Sequence, residues 1–231
     1  MKTELCAGTA EAVRIAGSLA FDRVELCQEL ETGGITPSAG LQSFALKFVE
    51  THILIRPRGG DFVYSQDEKE VMLGDIDASR RLGMHGIVTG ALTAANTLDT
   101  DWLNEARRQS KDTVLTFHRA FDEATDWQEA MEQLIEAGFT RILTSGQAKD
   151  VHTGMAVLQQ MKAFAKGRIE IMAGGGVSVE NVREVLRTAA PDAIHFSGTV
   201  RRITGEGSNY ATEILVPDPQ KIQDILREIR R

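Results

Sequence analysis

Cysteine is nearly absent from this 231-residue chain, which has two, Cys6 and Cys27. So small a supply excludes a multi-disulfide framework and a four-thiolate structural zinc site. A domain of this length does not need a covalent staple, so both residues are read as thiols. Basic clusters are missing as well. Lys and Arg number 26 against 33 Asp and Glu, a net charge of −7, and no run or stripe of basic residues offers the footprint of a nucleic-acid binder. No apolar stretch reaches the ~18 residues a membrane span needs, and no charged leader with an apolar run behind it opens the chain. The expectation is a cytoplasmic protein without nucleic-acid or membrane partners. Domain linkers, low-complexity segments and heptads are also absent. What is present, 42% hydrophobic and 26% charged residues, is ordinary globular composition, and residues 1–231 are expected to form a single domain.

The hydrophobic pattern changes period repeatedly and in a constant order. Short β-rich runs fall at 3–6, 23–27, 52–56, 86–90, 113–118, 141–145, 170–173 and 193–197, which predicts eight strands. Each gap holds room for a loop and a helix. Helical periodicity shows at 9–19, 67–82, 126–137, 151–165, 179–189 and 218–229, with Thr9 and Ser178 placed to cap two of them. Strict βα alternation predicts an α/β fold closed as a (β/α)8 TIM barrel; an open doubly wound sheet is the structural alternative.

Alternation within each strand then sets which side chains face the barrel interior, because positions facing the helices must be apolar. Leu5 outward leaves Glu4 and Cys6 inward, and Val24 and Leu26 outward leave Glu25 and Cys27 inward. The same parity points Arg56, Thr116, His118, Ser145, His195 and Ser197 inward. Buried charges cost several kcal/mol unless paired, and the C-terminal rim of such a barrel is where active and binding sites sit. The bland alternative is a structural ion-pair network of Glu4, Glu25, Arg56 and Arg58.

Four segments carry chemistry. The triplets Glu4-Leu5-Cys6 and Glu25-Leu26-Cys27 put two thiols on neighbouring strands, which lie ~4.8 Å apart. An in-line metal with bonds near the ~2.3 Å of zinc–sulfur needs sulfurs roughly 4.6 Å apart, and soft thiolates favour Cu(I). The alternative is two small buried hydrophobes. The loop from Ile55 to Ser65 brings Arg56 and Arg58 towards the rim, as forks for carboxylate or phosphate. His118, in a stretch running Thr116-Phe117-His118-Arg119-Ala120-Phe121-Asp122, is a candidate acid/base or metal ligand. The turns Gly174-Gly175-Gly176 and His195-Phe196-Ser197-Gly198, with Ser145 beside them, are candidate anion-binding elements.

In this order, ELC near the start, RVELC at 23–27, TPSAGL at 36–41, IRPRGGDFVYS at 55–65, GIVTGAL at 86–92, TFHRAFD at 116–122, RILTSGQ at 141–147 and IMAGGGV at 171–177 resemble the CutC copper-homeostasis family over roughly residues 3–202. The resemblance implies a (β/α)8 barrel, a cytoplasmic location, Cu(I) held by Cys6 and Cys27, and a homo-oligomer, dimer or tetramer. The leading expectation is a copper-binding protein that holds Cu(I) on these two thiolates with His118 nearby as a further ligand. The competing expectation is a metal-independent lyase, isomerase or hydrolase acting on a small anionic or phosphorylated substrate. In that case Glu25 and His118 serve as acid and base, while Arg56, Arg58 and the glycine-rich loops grip the anion.

Overall fold

The computed structural model describes all 231 residues. Eight parallel strands close into a barrel in chain order: β1 Lys2–Ala7, β2 Arg23–Leu26, β3 Thr51–Leu54, β4 Gly86–Thr89, β5 Val114–Phe117, β6 Arg141–Thr144, β7 Glu170–Gly174 and β8 Ala193–Phe196, with β8 pairing back onto β1. Each coincides, within two residues at either end, with a run read from the sequence. The open-sheet alternative is thereby excluded. A hairpin of β9 Thr199–Thr204 and β10 Thr212–Pro217 follows β8, and the sequence pattern had not shown it. Most of its residues are exposed on both faces, so no apolar alternation marks it.

The helices are α1 Ala10–Ser18, α2 Ala39–Ala45, α3 Gln66–Arg81, α4 Thr100–Ser110, α5 Trp127–Glu136, α6 Met155–Ala165, α7 Val182–Ala189 and α8 Pro219–Ile229. Six answer to the predicted segments; α2 is too short and α4 too polar to stand out. Thr9 caps α1 by accepting from the Ala12 N–H. Ser178 does not cap α7, which starts at Val182 behind Asn181.

Strand parity follows the expected alternation. Leu5, Val24, Leu26, Ile53, Ile55, Ile87, Leu115, Phe117, Ile142, Ile171 and Ile194 all join a 49-residue apolar core that lies between barrel and helices. The interior is instead split between two small apolar groups, Cys6, Cys27, Leu54 and Val88 near the top, and Leu143, Met172 and Ala193. Charged side chains occupy the rest.

Interior crowding dictates some residue choices. A methyl group on Gly86 would lie 2.5 Å from the buried His52 imidazole, whereas one on Gly74 of α3 would meet open space. Gly86→Ala is therefore expected to cost about 1–3 kcal/mol by overpacking. Gly74→Ala should be neutral or stabilise by up to about 1 kcal/mol. Urea unfolding of the two variants checks this, and equal midpoints would contradict it.

Candidate functional site

The C-terminal rim opens into a cavity of about 290 Å³, lined among others by Cys6, Glu25, Arg56, His118, Arg119 and His195. Its floor is a chain of buried polar groups. Glu4, wholly buried, takes Arg23 Nε on one oxygen at 2.5 Å and His195 Nδ1 on the other at 2.8 Å. Burial alone would raise the Glu4 pKa. The hydrogen bond and charge of His195, with the Arg23 charge, outweigh it and hold the carboxylate well below the usual range. Burial also opposes protonation of His195, but contacts with Cys6, Glu25 and Glu4 raise its pKa well above the ordinary histidine value. Glu25 moves the other way. Burial pushes it up to about 7, with Glu4 adding repulsion and His195 pulling back.

Above this floor the two sulfurs meet. Cys6 Sγ lies 3.7 Å from Cys27 Sγ and 3.8 Å from Glu25 Oε1. The register explains the approach: Cys6 pairs with Glu25 across β1 and β2, and Cys27 follows one turn of the pleat above. Contact with Cys27 and burial raise the Cys6 pKa, so it stays a thiol near neutrality. Cys6 touches the cavity, while Cys27 sits fully buried behind it under Gly34.

One donor atom from each of Cys6, Glu25 and Cys27 lies within 4.8 Å of the others, and the same holds for Glu4, Glu25 and His195. His118 belongs to neither group, which corrects the expectation that it stands by the cysteines as a ligand. Its ring packs against Phe62 and Phe117 at 5.0 and 5.9 Å, in space left by Gly90. Its Nδ1 accepts from the Ala120 N–H, which leaves the hydrogen on Nε2, and that atom is buried with no partner. Burial and the nearby Arg56 charge push its pKa down to about 3. It is a neutral donor rather than an acid/base poised near neutrality.

The predicted anion-binding set divides. Arg56 and His195 line the cavity. Arg56 does not join Glu4 and Glu25: Nη1 donates to the Thr32 and Gly34 carbonyls and Nη2 to that of Gly60. Arg58 is drawn away to Glu68, a capping residue of α3, and to Asp61, and it remains 38% exposed. The structural network imagined from Glu4, Glu25, Arg56 and Arg58 is thus replaced by one built from Glu4, Arg23 and His195. Ser145 is held by Asp122, Arg119 and the Ala148 carbonyl. Gly174 lies against His195 and Leu143, Gly175 under the Arg119 guanidinium, and Gly176 against Asp150. Ser197 bonds Thr199 at the start of the hairpin. None of these five lines the cavity.

Arg23 in the floor and Arg119 in the cavity lining were passed over as site residues in the sequence. Arg23 shares the inward parity of Glu25, so alternation alone could have found it. Arg119 sits in a short 3-10 turn after β5, where no strand parity applies.

A family model described as the CutC family matches residues 1–200. The chain belongs to the CutC family. A CutC family protein of Glaesserella parasuis is 39% identical over 240 residues, covering 99% of each chain. One from Bacteroides thetaiotaomicron is 42% identical over 197 residues, 84% of this chain and 79% of the relative. Among solved structures, a CutC protein of Streptococcus agalactiae, named for copper homeostasis, is 32% identical with a TM-score of 0.81, covering 85% of this chain and 98% of its own. A phosphoribosyl anthranilate isomerase of Thermotoga maritima, 12% identical over 100% of this chain and 98% of its own, has a TM-score of 0.60 and is similar in fold alone. The CutC model ends at residue 200, so nearly all of the β9–β10 hairpin and α8 lie beyond it. The cavity, the thiol pair and the buried carboxylates lie within it. No helix is long and apolar enough to cross a membrane.

Proposed function

We propose that this CutC chain handles Cu(I) in the cytoplasm, taking the ion on the thiolates of Cys6 and Cys27 at the edge of the rim cavity. The observation that carries the reading is the 3.7 Å approach of two buried sulfurs beside the Glu25 carboxylate. Soft thiolates favour Cu(I) over harder ions. With metal–sulfur bonds of ~2.3 Å, a 3.7 Å separation subtends roughly 107°, an angle that leaves room for a third donor such as Glu25. Linear two-coordination asks for sulfurs roughly 4.6 Å apart, about 0.9 Å more than the separation here. The family's link to copper homeostasis supports the same assignment. Because Cys6 holds its proton near neutrality, loading must release it, and affinity should rise with pH.

Anaerobic titration with Cu(I) against a competing chelator tests the reading on wild type and on the double variant Cys6→Ser/Cys27→Ser. Tight binding in the wild type that vanishes in a still-folded double variant is the expected result. Binding that is weak in both, or equal in both, sinks the thiolate site.

A further inference from the structure

A Cu(I) ion on the two sulfurs would fill only one corner of the rim cavity. At roughly 30 Å³ per water, the cavity's 290 Å³ corresponds to about ten waters, enough for a small organic molecule. Two kinds of unsatisfied group line it. The first are donors. Arg56 is 5% exposed, yet its guanidinium meets backbone carbonyls and the face of Phe62 and no carboxylate, and its Nε–H is buried without a partner. A buried guanidinium without a counter-ion is costly, and an anion supplied from outside removes that cost. Beside it the Nε2–H of His118 is also buried and unpaired. Arg119 also lines the cavity and spends its Nε and Nη2 on Asp122, Ser145 and Ala148, while its Nη1 lies against Gly175 without a hydrogen bond. The cavity lining also offers an acceptor: Glu25 turns Oε1 towards Cys6 and leaves Oε2 buried with no partner.

We propose that the rim cavity binds a small hydroxy carboxylic acid, its carboxylate on Arg56, His118 and Arg119 and a hydroxyl donating to Glu25 Oε2. The presence of both donors and an acceptor selects this class. A phosphate dianion would bring a second negative charge into a cavity that already holds Glu25, and a simple monocarboxylate without a hydroxyl would leave Glu25 Oε2 unpaired. The Gly174–Gly176 turn does not supply an alternative anion seat, because Arg119 covers Gly175 and Asp150 stands against Gly176. The donors to the carboxylate include no sulfur, so the acid can bind without copper, although Glu25 Oε1 stands 3.8 Å from Cys6 Sγ.

Calorimetric titration of the full chain with L-malate and with D-gluconate tests the proposal, alongside glycerol 3-phosphate, inorganic phosphate and glycerol. Saturable binding of at least one of the two hydroxy acids at millimolar concentration or below is expected, with none for glycerol. Arg56→Met should weaken it by roughly ten- to a hundredfold, the range for a charge-assisted bond, and Cys6→Ser/Cys27→Ser should weaken it less than Arg56→Met does. Should Arg56→Met fail to fold, wild-type protein with isotope-labelled histidine decides: the His118 Nε2–H resonance must shift on saturation with the bound acid. The proposal is overturned if neither acid binds, if only the phosphates bind, or if binding leaves the His118 resonance in place.

Discussion

Replacing Arg23 with methionine is expected to lower the free energy of unfolding by about 3–5 kcal/mol, the range for removing one partner of a buried ion pair. Methionine fills much of the space left by the arginine stem. The penalty therefore comes from charge: Glu4 has no solvent contact, and Arg23, at 1% side-chain exposure, is one of only two groups that hydrogen-bond its carboxylate. Arg23 also ties β2 to β7 through an Nη2 contact with Met172 Sδ at 3.4 Å. Glu4→Gln in the Arg23→Met background should recover part of the loss, because the uncompensated charge is then gone, so the two effects should not add. A surface pair supplies the contrast. Arg168 grips Glu132 with two bonds of 2.7 Å, but both side chains are about 40% exposed, so Arg168→Met should cost only ~0–1 kcal/mol. Chemical denaturation of Arg23→Met, Glu4→Gln, their double variant and Arg168→Met measures these differences. Equal losses for Arg23→Met and Arg168→Met would mean that the floor network contributes nothing beyond a surface contact.

The stability of the wild-type chain should form a plateau in mildly acidic solution and fall on either side. Glu25 is raised from an ordinary 4.5 to about 7 by burial. The native state therefore binds more protons than the unfolded chain between those values, and this contribution is lost as pH rises through them. His118 is lowered from 6.5 to about 3. There the unfolded chain binds more protons, and stability is lost as pH falls through that window. Between 4.5 and 6.5 the two slopes oppose each other. Below the plateau His118 continues to destabilise, and Glu4, whose pKa is depressed, joins it as its ion pairs are protonated. Above it Glu25 finishes its loss, and His195, whose pKa is raised, gives up its contribution as it deprotonates. Glu25 and His118 each have a full amplitude of roughly 3–5 kcal/mol at about 1.4 kcal/mol per pKa unit. The diagnostic variant is Glu25→Gln. With the opposing slope removed, stability should climb across the former plateau as pH rises. Urea midpoints collected across the acid and neutral range settle the matter, and an unchanged flat profile in Glu25→Gln would exclude Glu25 as the titrating group.

The hydroxy-acid site and the thiol pair make separable demands on the same cavity. The proposed Cu(I) site would use the sulfurs and, in the bent geometry, Glu25 Oε1; the proposed acid site would use Arg56, His118 and Glu25 Oε2. Glu25 is shared, so occupation of one site would be felt at the other through a single carboxylate, while the arginine and cysteine variants distinguish the two.

Eight strands, their order and the inward direction of Glu4, Cys6, Glu25, Cys27, Arg56, His118 and His195 were legible from local pattern. The reason is physical: each strand must present apolar residues to the helices, so alternation alone reveals the other face. Where that requirement lapses, legibility lapses with it. The β9–β10 hairpin buries neither face, and α4 carries its few apolar residues among charges. Tertiary structure alone decided which inward groups meet. Whether Arg56 pairs with a carboxylate or with the carbonyls of Thr32, Gly34 and Gly60 depends on how two rim loops fold over it. The 3.7 Å sulfur separation depends on strand stagger, and the neutral His118 on one backbone N–H from the turn that follows it. Alternation sets the face a side chain points to, but distances, tautomers and shifted pKa values arise only when separate strands and loops are brought within a few ångströms of one another in a dry interior.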